Sequence, residues 1–233
     1  MSIAPPRAPR PDDGGAPFVL DALAFDRADE AQLAAGRVGV RAAVLSARSV
    51  SYGIGVPESA AYVRRAAARG IPRVHRSTGG TGLLHEPGDL LWTVVLPRNH
   101  PALAGGYTRA YPRLGAGVVL GLRTVAVDAG WVPAPGLLDR YCTLSGRGSV
   151  LAAGPWVIGG AAQHLAGPYL LHHGVVSGRI DRSAIADLFE VPVGPATERL
   201  GSLADVIDPV PTRTVARVVR AAIAADLAIP ELD

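Results

Sequence analysis

Between His75 and Trp92 the chain reads HRSTGGTGLLHEPGDLLW. No helix can run through it. Gly79, Gly80 and Gly82 each weaken a helix, and Pro87 followed by Gly88 ends whatever precedes them. The pattern predicts a short strand at Arg73–Arg76, a tight turn at Gly79–Gly80, a strand at Gly82–His85, a second turn at Gly88–Asp89 and a strand at Leu90–Leu96. The first two strands read as one hairpin, with Arg76, His85 and Asp89 along its rim. A chain with this segment in its interior has to build a sheet of short strands and arrange everything else around it.

The remaining signals supply those other elements. Helical patterns cover Phe18–Gly36, with Gly36 as its stop, and Glu58–Gly70. Tyr107–Arg123 reads as one long helix, in which Pro112 is comfortable only in the first turns. Further helices fall at Arg182–Phe189, Ser202–Ile207 and Thr212–Leu227, the last with apolar positions at Val215, Val218, Val219, Ile223 and Leu227. Strands are expected at Val40–Ser46, at Thr124–Asp128, in a hairpin around Ala153–Pro155, and at Tyr169–Ser177. Ser49–Gly55 reads as a loop or a second strand. Hairpin-paired strands with helices between and after them give an α+β domain, its mixed and largely antiparallel sheet flanked by helices. The expected organisation is a disordered Pro-rich tail over 1–16, a main domain over 17–191 and a C-terminal helical extension over 192–233.

Composition narrows the chemistry. Hydrophobic residues make up 48% and charged residues 18% of the 233 residues, enough apolar material for a real core. All 23 basic side chains are Arg. With no Lys, the chain has no catalytic ammonium and no Schiff-base former. A pI near 9.4 invites a nucleic-acid reading. The arginines are scattered, however, and aromatics are only 5%, so no nucleic-acid partner is expected. The one cysteine, Cys142, excludes an intrachain disulfide and a cysteine-based metal site, and it suits the cytoplasm. The first residues lack the apolar run of a secretory signal. Gly148–Gly178 has no Asp, Glu or Arg and is long enough to span a bilayer. Its glycines and prolines, with Gln163, His164, His172 and His173, instead predict buried strands and turns, so no membrane segment is expected. His172 and His173 are neighbours in a strand and point to opposite faces, so at most one reaches a given pocket. No third ligand has suitable spacing, and no metal is expected.

Paired glycines let a backbone approach a ligand closely and expose N–H donors, or they simply close a turn. Gly79–Gly80 belongs to neither a Walker loop, which needs G-K-[ST], nor a dinucleotide fingerprint, which opens a helix. The residues around it resemble something else. Arg76-Ser-Thr-Gly79-Gly80, a two-residue gap, Leu83-Leu84-His85 and then Pro87-Gly88-Asp89-Leu90 are similar to the signature of the lipoate–protein ligase and octanoyltransferase family, R-R-x-[ST]-G-G-[GR]-A-V-x-H followed by a short turn. Biotin–protein ligases share the fold more distantly. RAAVLSARSVSYGIGVPE resembles the family's early strand and the segment after it. VLAAGPWVIGGAAQ sits where the family has G-[RK]-K-[IV]-x-G-[SG]-A-Q. The resemblance covers about Phe18–Phe189.

It implies a sheet that cradles an eight-carbon acyl group and hands it to the lysine of a lipoyl carrier domain. The donor would be octanoyl–acyl carrier protein, or free lipoate or octanoate. Arg76, Thr78, Gly79, Gly80 and His85 would fall in the first binding motif, and Gly159, Ala162 and Gln163 in the second. Cys142, 14 residues before Trp156, resembles the nucleophile of a cysteine-dependent branch, which would carry the acyl group as a thioester. His85, His172 or His173 could serve it as a base. Read from its residue type alone, a lone cysteine such as Cys142 is first a buried, inert thiol. The pattern breaks at Trp156, where the family places a lysine beside the acyl carbonyl. An indole has one neutral donor and cannot replace that charge. It would instead fill acyl space. Three activities therefore stand side by side: acyl transfer of the lipoyl/octanoyl type, a degenerate homologue acting as a binding subunit, and transfer to a different amine. ATP-dependent ligation, which also needs cations for phosphates, is the least expected.

Overall fold

The structure is a computed structural model that describes residues 19–146 and 148–232. The expected Pro-rich tail over 1–16 lies outside these residues. In chain order the elements are β1 (Val19–Leu20), α1 (Ala22–Ala34), β2 (Gly39–Leu45), β3 (Ser49–Tyr52), α2 (Ala61–Ala68), β4 (Arg73–His75), β5 (Gly82–His85), β6 (Leu90–Pro97), α3 (Tyr107–Leu114), α4 (Ala116–Arg123), β7 (Ala129–Pro133), β8 (Ser149–Ala153), β9 (Trp156–Ala166), β10 (Tyr169–Val176), α5 (Arg182–Phe189), α6 (Pro195–Glu198) and α7 (Thr212–Leu227).

The strands form two sheets. The larger has the order β1-β2-β6-β10-β9-β8-β7, and the smaller has β4-β3-β5. Every pairing is antiparallel except β1 with β2 and β3 with β4. This is the expected mixed, largely antiparallel α+β architecture. β2, β6 and β10 are apolar at nearly every position because both faces of the large sheet are covered. One face packs on α3, α4 and α7 in a core that includes Val94, Leu96, Leu114, Leu122, Val219 and Ile223. α4 and α7 cross closely: a Cβ added at Gly121 would fall 2.6 Å from the Val219 Cα. The other face meets the small sheet with α2 and α5, and α1 lies beside them over Ala43, Leu91 and Val175.

The C-terminal residues expected to form an extension pack into the first core through α7, and Val40 pairs with Glu231. The Leu232 amide donates to the Val40 carbonyl at 2.8 Å.

Several local expectations change. β4 and β5 do not form a hairpin. β3 lies between them, parallel to β4 and antiparallel to β5, so the glycine turn crosses over β3. The long helix at Tyr107–Arg123 is two helices broken at Gly115. Pro112 lacks the amide that would continue the ladder, and Gly115 packs against the Trp131 indole, whose Nε1 donates to the Gly115 carbonyl at 2.8 Å. Trp131 itself is a β7 residue. Thr124–Asp128 is a turn that leaves α4, with Ala126 at φ +63°, and the strand begins at Ala129. Within Ser202–Ile207 only the turn Leu203–Asp205 is helical.

Candidate active site

Between the two sheets lies a cavity of about 700 Å³, counting its open mouth. Its floor is the β9–β10 pair at Gly160–Ala162 and His173–Val175. Its walls come from α1, β3, β4, β5 and the turn after Tyr141. Leu83, Leu91, Val74, Val150, Val175 and Phe25 make it largely apolar, with Cys142, Arg76, His85, Asp26, Asp29 and His173 as its polar points. Arg76, Leu83 and His85 of the first glycine-rich segment and Gly160–Ala162 of the second line this space, whereas Thr78, Gly79 and Gly80 are not among its lining residues.

Tyr141 places the cysteine. Its ring is buried edge-on to Phe189, and the residue bridges to Gly82. Cys142 then opens the short turn Cys142–Leu144 at the cavity wall. Gly80 has φ +96°, a region that favours glycine. A Cβ there would lie 2.7 Å from the Cys142 Sγ and 3.3 Å from the Arg76 Nη2. The glycine is needed so that thiol and guanidinium can both crowd the turn.

Arg76 is the only permanently cationic side chain among the described residues lining the cavity. It donates to Ser51 Oγ at 2.5 Å and to the carbonyls of Gly79 and Thr81 at 3.2 and 3.1 Å. Burial pushes its pKa down, and the neighbouring Cys142, Tyr62 and Asp26 push it back up. Ser51 Oγ accepts from Arg76 and so has its own proton for His85 Nε2, 2.6 Å away. His85 Nδ1, on the other side of the ring, lies 3.6 Å from Asp89 Oδ2.

A second chain runs through His173. Its Nδ1 donates to Asp29 Oδ2 at 3.1 Å, and its Nε2 accepts from the Thr78 hydroxyl at 2.7 Å. Asp29 also accepts from Thr93 at 2.9 Å and forms a buried ion pair with Arg41, which in turn donates to Gln32 Oε1 at 2.8 Å. Burial lowers the His173 pKa, against the pull of Asp29. A neutral imidazole therefore ties the Thr78–Gly79–Gly80 turn to β10.

The second motif divides. Ala162 lines the cavity. Gln163 does not: it pairs across the sheet with His172 and shares that residue's face, under the helices, whereas Ala162 pairs with His173. Gly159 lies against Val175 and lines a smaller, adjoining cavity that shares Leu83, His85, Thr143 and Val175 with the first. Trp156 is outside both, packed on Gly201 with the Arg182 guanidinium 5.3 Å over its ring. The expectation that its indole fills acyl space is thus corrected. Leu151 pairs with Gly159 and Ala152 with Val157, so Ile158 is an extra residue in β9. A bulge reverses side-chain alternation, and Trp156 turns to the helix side with Ile158.

Sequence reading missed Asp26, Asp29 and Ser51. The two acids lie three residues apart on α1 and share one helical face.

His172, on the opposite face, is not a candidate base. Among the described residues neither ring nitrogen has a partner, and the ring packs between Trp92 and Tyr111. Burial pushes its pKa down to about 3. The unfolded chain, near 6.5, binds the proton first, so this group's contribution to stability is intact above pH 6.5 and is lost on acidification toward 3. Asp26, raised to about 6 by burial and by Asp29, works in the opposite sense between pH 6 and 4, equally in wild type and variant. Between pH 7 and pH 5, His172→Leu should therefore gain about 2 kcal/mol relative to wild type, measured by urea unfolding at both pH values.

Octanoyltransferase LipM of Halalkalibacterium halodurans is 28% identical over 136 residues, 54% of this chain and 49% of the relative. LipM of Macrococcus caseolyticus is 30% identical over 131 residues, 52% and 47% of the two chains. The chain spans about half the length of these curated relatives. Among solved structures, lipoate-protein ligase A bound with ATP superposes with a TM-score of 0.69 at 24% identity, covering 91% of this chain and 82% of that one. The bipartite lipoate protein ligase of Thermoplasma acidophilum, solved with its E2 lipoyl domain, gives 0.65 at 22%, covering 91% and 80%. Among the described residues no helix is long and apolar enough to cross a membrane. The lipoyl protein ligase A/B catalytic domain profile matches residues 44–224, and the chain belongs to that family.

Proposed function

We propose that the cavity receives a medium-chain acyl group as a thioester on Cys142 and passes it to the lysine of a lipoyl carrier domain. One observation carries this reading: the only cysteine stands at the wall of an apolar cavity, against a glycine turn and beside the cavity's one guanidinium. The apolar lining suits a fatty chain, and Arg76 faces the charge that a thiolate or a developing oxyanion would carry. The Cys142 sulfur attacks the donor's acyl carbonyl, a new C–S bond forms, and the donor's thiol departs. The donor is an acyl thioester such as octanoyl–acyl carrier protein. Adenylation of free lipoate or octanoate fits less well, because no Lys is present to meet the phosphates. Partial matches to relatives named octanoyltransferase support the same reaction class. A free nucleophilic thiol suits the reducing cytoplasm.

Incubation with octanoyl–acyl carrier protein followed by intact mass measurement tests the reading. The expected result is a gain of one octanoyl group, labile to hydroxylamine and absent in Cys142→Ala. Absence of the adduct from the wild-type protein would favour the degenerate, binding-only reading.

A further inference from the structure

The cavity holds one charged group with no task so far. Asp26 is 8% exposed and lines the same space as Cys142. Among the described residues its carboxylate makes no hydrogen bond, unlike Asp29 one turn on, whose oxygens are taken up by Arg41, Thr93 and His173. The charged and titratable groups that act on Asp26 are Asp29 and Glu30 on its own helix, His75 at the end of β4 and Arg76 just after it. Arg76, which lines the same cavity, feels the charge of both Asp26 and Cys142.

A buried carboxylate with open valences beside an apolar cavity is costly unless a partner arrives. The acyl donor brings no cation to it. The acceptor does: a lysine side chain enters as an ammonium and must lose a proton before its nitrogen can attack. Resting on the thioester reading above, we propose that Asp26 binds the acceptor's ammonium and takes its first proton. The free amine then attacks the thioester carbonyl, the C–N bond forms and the C–S bond breaks. The amine's second proton ends on the departing Cys142 sulfur, and Asp26 returns the first to solvent. Burial of Asp26 raises its pKa to about 6, which keeps it charged at neutral pH yet able to accept a proton.

The acyl-enzyme is loaded with octanoyl–acyl carrier protein and isolated. It is then chased at pH 7 with butylamine, which is almost wholly ammonium, or with hydroxylamine, which is largely neutral. In Asp26→Asn the butylamine rate should fall at least tenfold relative to the hydroxylamine rate, and Asp26→Glu should recover much of that ratio. A ratio within threefold of wild type would overturn the proposal, because it would make Asp26 a structural counter-charge for Arg76. Failure of Asp26→Asn to load would also overturn it by assigning the residue to the first step. If wild type itself forms no thioester, the parent reading falls and takes this one with it.

Discussion

Arg76→Gln is expected to slow acylation of Cys142 by about a hundred- to a thousandfold, the usual effect of removing an oriented donor from a developing oxyanion. Arg76 is the only fixed positive charge among the described cavity-lining residues, and it does two things there. Its guanidinium faces the sulfur, and its N–H groups hold the carbonyls of Gly79 and Thr81, which fix the turn against which Cys142 packs. Gln keeps part of the second role and loses the first. Arg76→Lys keeps a charge without the fork that reaches Ser51 and both carbonyls, so it should fall between wild type and Gln. Single-turnover loading by octanoyl–acyl carrier protein, followed by intact mass, measures the rates. The melting temperature separates a chemical loss from unfolding. A Gln variant that folds and loads within tenfold of wild type would show that the oxyanion is held by other groups.

The position of Arg76 bears on how far the sequence could be read. The family's second motif lacks its lysine, and the sequence alone suggested that Trp156 had taken its place in the cavity. Residue type and spacing could not reveal the extra Ile158 in β9 that turns Trp156 away, because a bulge depends on the pairing of β9 with β8. The glycine turn was misread for a related reason. Gly82–His85 was placed correctly as a strand, but its partner is β3, some thirty residues earlier, and local spacing says nothing about which strand slides between two others. Elements whose signals are local came through unchanged. Arg182–Phe189 starts at the Asp181 cap, and Thr212–Leu227 follows its apolar period to the residue before the left-handed Ala228. The site candidates Cys142, Arg76 and His85 were legible from the family resemblance, and all three line the cavity. Asp26 and Asp29 were not, because acids on an amphipathic helix ordinarily mark its solvated face. Here that face closes over the cavity.

Asp29→Ala should cost about 3–5 kcal/mol of folding stability, the penalty for stripping one partner from a buried ion pair. Arg41 is 7% exposed on β2, and without Asp29 its guanidinium keeps only Gln32 Oε1 as an acceptor. Thr93 and His173 lose their acceptor in the same step, so the tie between Thr78 and β10 loosens as well. Asp29 and Arg41 both precede residue 44, where the family match begins, so this support for the cavity is supplied by a segment outside the matched region. Removing both charges should be far milder: Asp29→Leu with Arg41→Met leaves no buried charge unpaired, and an apolar pair of similar volume often matches a buried ion pair in stability. Urea unfolding of wild type, the single variants and the double variant gives the coupling. If Asp29→Ala costs less than about 1 kcal/mol, the pair is solvated in solution, and α1 is then not the clamp that closes this side of the cavity.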